Sequence, residues 1–99
     1  SDYAGSFDEY YYRLARIESK LKYLDKQVIN QYQKAFDIGQ KSTNYYAPMS
    51  ALQIGLIYEK NNKLNQAKIY FEKCLSLFDF DYERGIHQKA KFGLVRVTN

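Results

Sequence analysis

The apolar residues of this chain recur at steps of three and four, and the segments that carry them recur about 39 residues apart. A three-to-four step is the period of one helix face, and a longer period of this size marks paired helices stacked as hairpins. Val28, Tyr32, Ala35 and Phe36 return 39 residues later as Ala67, Phe71, Cys74 and Leu75. Leu14-Ala15 returns 40 residues later as Ile54-Gly55, and Gly55 returns 38 residues later as Gly93. Each hairpin then needs a neighbour to cover its apolar face. No alternating strand pattern of useful length interrupts the series.

Five helices are predicted. Ser6-Phe7-Asp8-Glu9 has the form of a capping box, and Phe7, Tyr10, Leu14, Ile17 and Leu21 form the expected inward stripe of a first helix ending near Leu21 to Tyr23. Val28, Tyr32, Ala35, Phe36 and Gly39 give the second, with Gly39 suited to a left-handed helix end. Residues 40–44 read as a polar loop. The third helix begins between Tyr45 and Pro48, where proline is tolerated, and turns Ala47, Ala51, Ile54, Gly55 and Tyr58 inward. After the turn Asn61-Asn62-Lys63, Leu64, Ala67, Phe71, Cys74, Leu75 and Phe78 line the fourth. The fifth carries Tyr82, Ile86, Ala90, Gly93, Leu94 and Val97, with Asp81 as its expected N-cap.

Ninety-nine residues suffice for one domain, read here as an N-terminal lead over 1–6 that is disordered or appended, a first repeat over 7–40, a second over 45–79 and a C-terminal helix over 81–97. One Cys excludes an internal disulfide framework and a multi-Cys zinc site. No run reaches the roughly 18 apolar residues of a membrane span, and no signal peptide is recognisable. The sequence starts at Ser1 with no initiating Met, so a piece of a larger scaffold is expected. Its compartment stays open between cytoplasm and periplasm.

The residues Ala51, Ile54-Gly55, Tyr58, Ala67 and Phe71 resemble the tetratricopeptide repeat, whose pattern sets an aromatic, Leu-Gly and Tyr on one helix and Ala and Phe on the next. Tyr11, Leu14-Ala15, Glu18, Val28 and Tyr32 form a more divergent first copy, its turn one residue longer. Ala51 replaces the family's bulky aromatic, Glu18 its Tyr and Asp79 its closing Pro. Phe92-Gly93 stands in the Leu-Gly slot of half a third repeat. The segments around Tyr10 to Arg16 and Ala51 to Glu59 are similar to those of large repeat proteins of Bacteroidetes-type bacteria. The resemblance implies a right-handed stack whose first helices line a concave surface.

Chemistry-bearing motifs are sparse. Cys74 falls in an inward stripe, and the sole imidazole, His87, is not brought to it by spacing. Asp79-Phe80-Asp81-Tyr82-Glu83 has the alternating carboxylates of a calcium loop but holds Arg84 and Ala90 where that loop needs Gly and Glu. Phosphate-binding, nucleophile and metal motifs are lacking, so the reading is non-enzymatic with no catalytic residue, metal or cofactor.

The basic residues say more. Arg13, Arg16 and Lys20 lie on one lane of the first helix beside Tyr12. By the resemblance, Gln53, Leu56 and Lys60 continue the lane on the third helix, and His87 and Lys91 on the fifth. Together these nine form a candidate groove for a protein or extended peptide, an acidic one by charge, gripped through Arg–carboxylate forks and Tyr contacts. The family's clamp for a C-terminal carboxylate uses a Lys–Asn pairing, whereas these slots hold Tyr12 and Arg16, then Leu52 and Leu56. Phe92 and Val95 have no following helix to cover them and suggest homo-oligomer formation. Two other readings stay open: nucleic-acid binding, permitted by +4 net charge and a pI near 9.1 but opposed by interspersed acids, and a structural or oligomerisation segment without a ligand.

Overall fold

The computed structural model describes residues 6–98, of which Ser6 is described by its backbone alone. The lead over 1–5 and the Ser6 side-chain cap therefore lie outside the described residues. Within them the chain is five helices: α1 (Ser6–Lys20), α2 (Asp25–Gly39), α3 (Tyr46–Lys60), α4 (Leu64–Leu75) and α5 (Glu83–Thr98). Each packs on its chain neighbour, and α3 also meets α1 and α5 side by side. The even-numbered helices do not approach one another at backbone distance. This all-α architecture is a tetratricopeptide-like stack of antiparallel hairpins, flattened to 45 × 31 × 17 Å.

The two hairpins turn in the same way. Leaving α1, the Tyr23 N–H donates to the Glu18 carbonyl and that of Lys22 to the Ser19 carbonyl; leaving α3, Lys63 donates to Tyr58 and Asn62 to Glu59. Lys22 and Asn62 both take left-handed backbone, at φ of 63° and 60°. Forty residues apart, these are one Schellman turn used twice. The first has an extra residue, Leu24, before its second helix. Asn tolerates the left-handed region, whereas Lys pays about 1 kcal/mol or more for it. Lys22→Gly is therefore expected to raise stability by up to about 1 kcal/mol after glycine's own entropy loss, measured as an increased urea midpoint.

Two clusters make one continuous core. Tyr12, Ala15, Val28, Tyr32, Ala35 and Ile54 fill the first, and Phe36, Ala51, Leu52, Phe71, Cys74 and Ala90 lie in the second. α3 is buried on nearly every side because four helices surround it: Ala47, Pro48, Ser50, Ala51, Leu52, Ile54 and Gly55 are all covered. In α2 all five predicted inward residues are buried.

Three expectations are corrected. The stripe Phe7, Tyr10, Ile17 and Leu21 of α1 faces outward, each residue more than half exposed, and the buried face is instead Asp8, Tyr12, Ala15 and Glu18. Gly39 has no left-handed backbone. It is small because a Cβ there would lie 2.8 Å from Asp8 Oδ2 and 3.2 Å from the Ala47 Cβ. Asp81 does not begin α5, which starts at Glu83. Asp81 donates its N–H to the Thr43 carbonyl, while Glu83 Oε1 accepts from the Asp79 N–H.

One polar substitution separates the repeats. In the second hairpin Tyr58 and Tyr70 stack with ring centroids 5.8 Å apart. Their counterparts in the first are Glu18 and Gln31, whose contact is a long hydrogen bond of 3.5 Å, joined by one from Gln27 at 3.3 Å.

Candidate functional site

The odd-numbered helices stand side by side, and each turns one row of side chains away from the even-numbered ones. On α1 the row is Glu9, Arg13, Arg16 and Lys20. Forty residues on, in register with the repeated turns, it is Met49, Gln53, Leu56 and Lys60 of α3. The arginines and Lys20 are exposed; Gln53 and Leu56 are half-buried. Tyr12, Arg16, Ser19, Lys20, Tyr32 and Gln53 enclose a depression of about 260 Å³ between α1 and α3. A second depression, also about 260 Å³, joins Arg13, Arg16, Ile17 and Lys20. Five predicted site residues, Tyr12, Arg13, Arg16, Lys20 and Gln53, are thus brought together, and Leu56 lies on the same row.

Tyr12 enters as floor. It is only 5% exposed, with its ring against Tyr46 at 5.3 Å, Tyr32 at 5.9 Å and Tyr45 at 6.2 Å. Burial pushes its hydroxyl above the usual pKa, against the opposing pull of Arg16, whose guanidinium lies 5.9 Å over the ring. The hydroxyl is therefore neutral near pH 7 and presents a ring edge and an O–H rather than a charge. Arg13 Nε donates to Glu9 Oε2 at 2.7 Å, an exposed pair of small energetic weight. Among the described residues Arg16 and Lys20 have no carboxylate partner within salt-bridge distance, so they are the cations an acidic ligand would meet first.

Lys60 is turned to the edge of the row. Its ammonium lies 3.4 Å from Asp25 at the start of α2, and Asn61 donates to the same carboxylate at 2.9 Å. Arg96 of α5 forks Glu59 of α3 through Nε at 2.6 Å and Nη2 at 2.9 Å. That fork sits between two odd-numbered helices and fixes their spacing; it also holds the Glu59 carboxyl below its usual pKa, chiefly by hydrogen bonding.

α5 departs from the expected register. Its buried residues are Ile86, Ala90, Gly93 and Val97. They repeat Ala47, Ala51, Ile54 and Tyr58 at a spacing of 39, so Gly93 is the counterpart of Ile54 and not of Gly55. The cue misleads because both glycines touch the same ring: a Cβ at either would lie 2.6 Å from Phe71. Shifting the register by one residue moves the row on α5 to Gln88, Phe92 and Val95, with Phe92 56% and Val95 60% exposed. His87 turns the other way. Its Nε2 lies 2.8 Å from the Leu77 carbonyl, and its ring packs edge-on against Phe78 and Phe80. Lys91 borders the row with Arg84, Gln88 and Phe92. Sequence reasoning found the basic part of this surface and assigned its apolar end, Phe92 and Val95, to another role; the spacing of Ala51 and Ala90 was the signal that would have joined them.

A broader surface depression, about 600 Å³, is lined by Leu24, Lys26, Gln27, Ile29, Asn30 and Gln33. All six belong to α2 and the residue before it, so it is the flank of one helix and not a cleft between elements. No helix among the described residues is long and apolar enough to cross a membrane.

Comparison with known families matches residues 50–79 to the tetratricopeptide repeat. Curated proteins and solved structures gave no significant match. The matched segment spans most of α3, the Schellman turn and α4, and ends at Asp79. Repeats of this type generally serve as protein–protein interaction modules, and the same turn and packing recur one repeat earlier. The chain therefore carries a tetratricopeptide-type repeat, matched over residues 50–79 and set in a stack of five helices.

Proposed function

We propose that this domain binds an extended peptide segment of a protein partner along the row of side chains on α1, α3 and α5. The observation that carries the reading is the gradient along that row: unpaired Arg16 and Lys20 beside Arg13 at one end, Leu56 in the middle, exposed Phe92 and Val95 at the other. Close approach of the odd-numbered helices, with the even-numbered ones held apart, favours a concave row. A ligand suited to it has an acidic stretch followed by one or two apolar anchors. The arginines would fork carboxylates, and Phe92 and Val95 would lose exposed apolar surface, worth about 25 cal/mol per Å². Tyr12 and Gln53 offer hydrogen bonds from the floor. Binding on a rigid helical surface needs no bond chemistry, and preorganisation limits its entropic cost.

The test is fluorescence anisotropy with a labelled peptide that carries a Glu/Asp tract followed by Leu and Phe. Arg13→Glu/Arg16→Glu is expected to weaken binding at least tenfold, and Phe92→Ala several-fold, with circular dichroism unchanged because all three side chains are exposed. Equal binding by wild type and the double variant contradicts the reading. Steeply salt-dependent capture of a single-stranded oligonucleotide, lost in the double variant while the peptide does not bind, would replace it with a nucleic-acid role.

A further inference from the structure

The depression between α1 and α3 is enclosed by Tyr12, Arg16, Ser19, Lys20, Tyr32 and Gln53. Each of these side chains carries an N–H or O–H donor, and none is a carboxylate. The second repeat shows that the fold does not require this chemistry. Forty residues on from α1, and 39 on from α2 and α3, the same positions hold Leu52, Leu56, Glu59, Lys60, Phe71 and Phe92. Four of these are plain apolar side chains, Glu59 is taken by the Arg96 fork, and Lys60 by Asp25. Phe71 is the informative counterpart. It fills with a bare ring the place that Tyr32 fills with a ring and a hydroxyl, so packing needs the ring and the hydroxyl is additional.

The neighbouring acids are engaged elsewhere. Glu9 accepts from Arg13. Glu18 is buried and accepts from Gln27 and Gln31 of α2. Asp25 takes Lys60 and Asn61. Among the described residues Arg16 and Lys20 have no carboxylate within salt-bridge distance, so the rim carries two uncompensated positive charges. The floor is Tyr12, 5% exposed, and Tyr32, 3% exposed, with ring centroids 5.9 Å apart. The Arg16 guanidinium lies over the Tyr12 ring. It opposes the burial that raises both hydroxyls, so it stands near each of them. Burial prevails, and both hydroxyls keep their protons near pH 7 and remain donors.

Charge and donor count select the ligand. A carboxylate or a phosphodiester brings one negative charge and leaves one of the two cations unmet. A phosphomonoester brings about −1.5 to −2 at pH 7 together with three acceptor oxygens. That is enough for both cations and for the hydroxyl and amide donors below them.

We propose that this depression holds a phosphomonoester carried on a serine or threonine of the bound peptide. Arg16 and Lys20 meet its charge, and Ser19, Gln53, Tyr12 and Tyr32 donate to its oxygens. The inference rests on the reading of the row as a peptide site, and it names the group that the basic end of the row selects.

The test uses the full 99-residue chain and labelled peptides that differ at a single position of the acidic tract, holding Ser, Glu or phosphoserine. By fluorescence anisotropy, wild type is expected to bind the phosphoserine peptide at least tenfold more tightly than the Ser peptide and several-fold more tightly than the Glu peptide. That preference should shrink at about pH 5, where the phosphate carries a single charge. Tyr32→Phe keeps the ring, and circular dichroism verifies its fold; it should cut the preference several-fold. Arg16→Gln should remove it. Inorganic phosphate alone, at constant ionic strength, should shift the amides of Ser19, Lys20 and Gln53 in wild type and not in Arg16→Gln. Equal binding of the Ser and phosphoserine peptides by wild type overturns this inference and leaves the peptide row standing. A phosphoserine preference that both variants retain also overturns it, because the phosphate is then read elsewhere. Phosphate-induced shifts at these residues with no peptide bound contradict the row and the peptide source, in favour of a free phosphate ligand. Absence of both shifts and peptide binding overturns both readings.

Discussion

Replacing Phe71 with Ala is expected to cost about 3–5 kcal/mol, the range for deleting a fully buried aromatic ring. Phe71 has no exposed surface and occupies the centre of the larger cluster, between α3 and α5. Its ring is clamped from both sides by glycine: a Cβ at Gly55 would lie 2.6 Å from Cε1, and one at Gly93 2.6 Å from Cε2 and Cζ. Neither clash can be relieved by moving the ring, because movement away from one helix drives it into the other. Gly55→Ala and Gly93→Ala are therefore expected to destabilise by about 1–3 kcal/mol each, even though Ala is the better helix former by about 1 kcal/mol. Gly85, also in α5, is the control. Nothing lies within 4 Å of a Cβ there, so Gly85→Ala should stabilise by up to about 1 kcal/mol. Urea denaturation of the three variants separates the cases by sign. Phe71→Leu should absorb part of the Gly93→Ala penalty, giving a coupling of about 1 kcal/mol or more in the double-mutant cycle. Gly93→Ala as stable as Gly85→Ala would mean that α5 does not pack on Phe71 as described.

Above pH 9 the domain is expected to lose stability steeply. Burial raises the Cys74 thiol from its ordinary 9.0 to about 12 and the Tyr32 hydroxyl from 10.0 to about 12. Burial is also the leading cause that raises Tyr12, Tyr46 and Tyr70. In each case the folded state holds the proton more tightly than the unfolded chain does. The stabilisation is complete below the unfolded value and is lost as pH climbs toward the folded one, here between about 9 and 12. For Cys74 alone it is on the order of 4 kcal/mol at 1.36 kcal/mol per unit. Urea midpoints should fall progressively across that window, and Cys74→Ala should flatten the fall at the cost of a small loss at pH 7. The same shift suppresses the thiolate by about a thousandfold. Iodoacetamide at pH 8 should therefore modify Cys74 at least that much more slowly in buffer than in a fully denaturing concentration of urea. Rapid alkylation of the folded chain would show Cys74 to be accessible and reactive rather than a core residue.

The fold was legible in the sequence because its strongest signals are periods, and a period survives divergence of individual residues. Val28, Tyr32, Ala35 and Phe36 against Ala67, Phe71 and Cys74 locate α2 and α4, and the extra turn residue is countable. The errors arise where one side chain has two physical explanations. An apolar stripe on α1 reads as core, yet its residues face outward and the covered face carries Asp8 and Glu18, which no hydrophobic pattern would select. Gly39 could end a helix or permit close approach; packing against Asp8 and Ala47 decides for the second. Gly55 and Gly93 look equivalent because both yield to Phe71, and that likeness shifted α5 by one residue. That Arg13, Arg16 and Lys20 share one lane of α1 follows from spacing; that such lanes line a common groove is what the resemblance implies. The register read from Gly93 set His87 and Lys91 on the lane; in the structure His87 turns to the Leu77 carbonyl, while Lys91 borders the row beside Phe92.

The most direct test of the binding row is amide chemical-shift mapping of the isotope-labelled chain titrated with the acidic, Leu/Phe-terminated peptide. The expected perturbations run across the odd-numbered helices, at Arg13 and Arg16, then Gln53 and Leu56, then Phe92 and Val95, while the outer residues of α2 and α4 stay unchanged. Perturbations confined to Leu24, Gln27, Asn30 and Gln33 on the flank of α2, or none at saturating peptide, would contradict it.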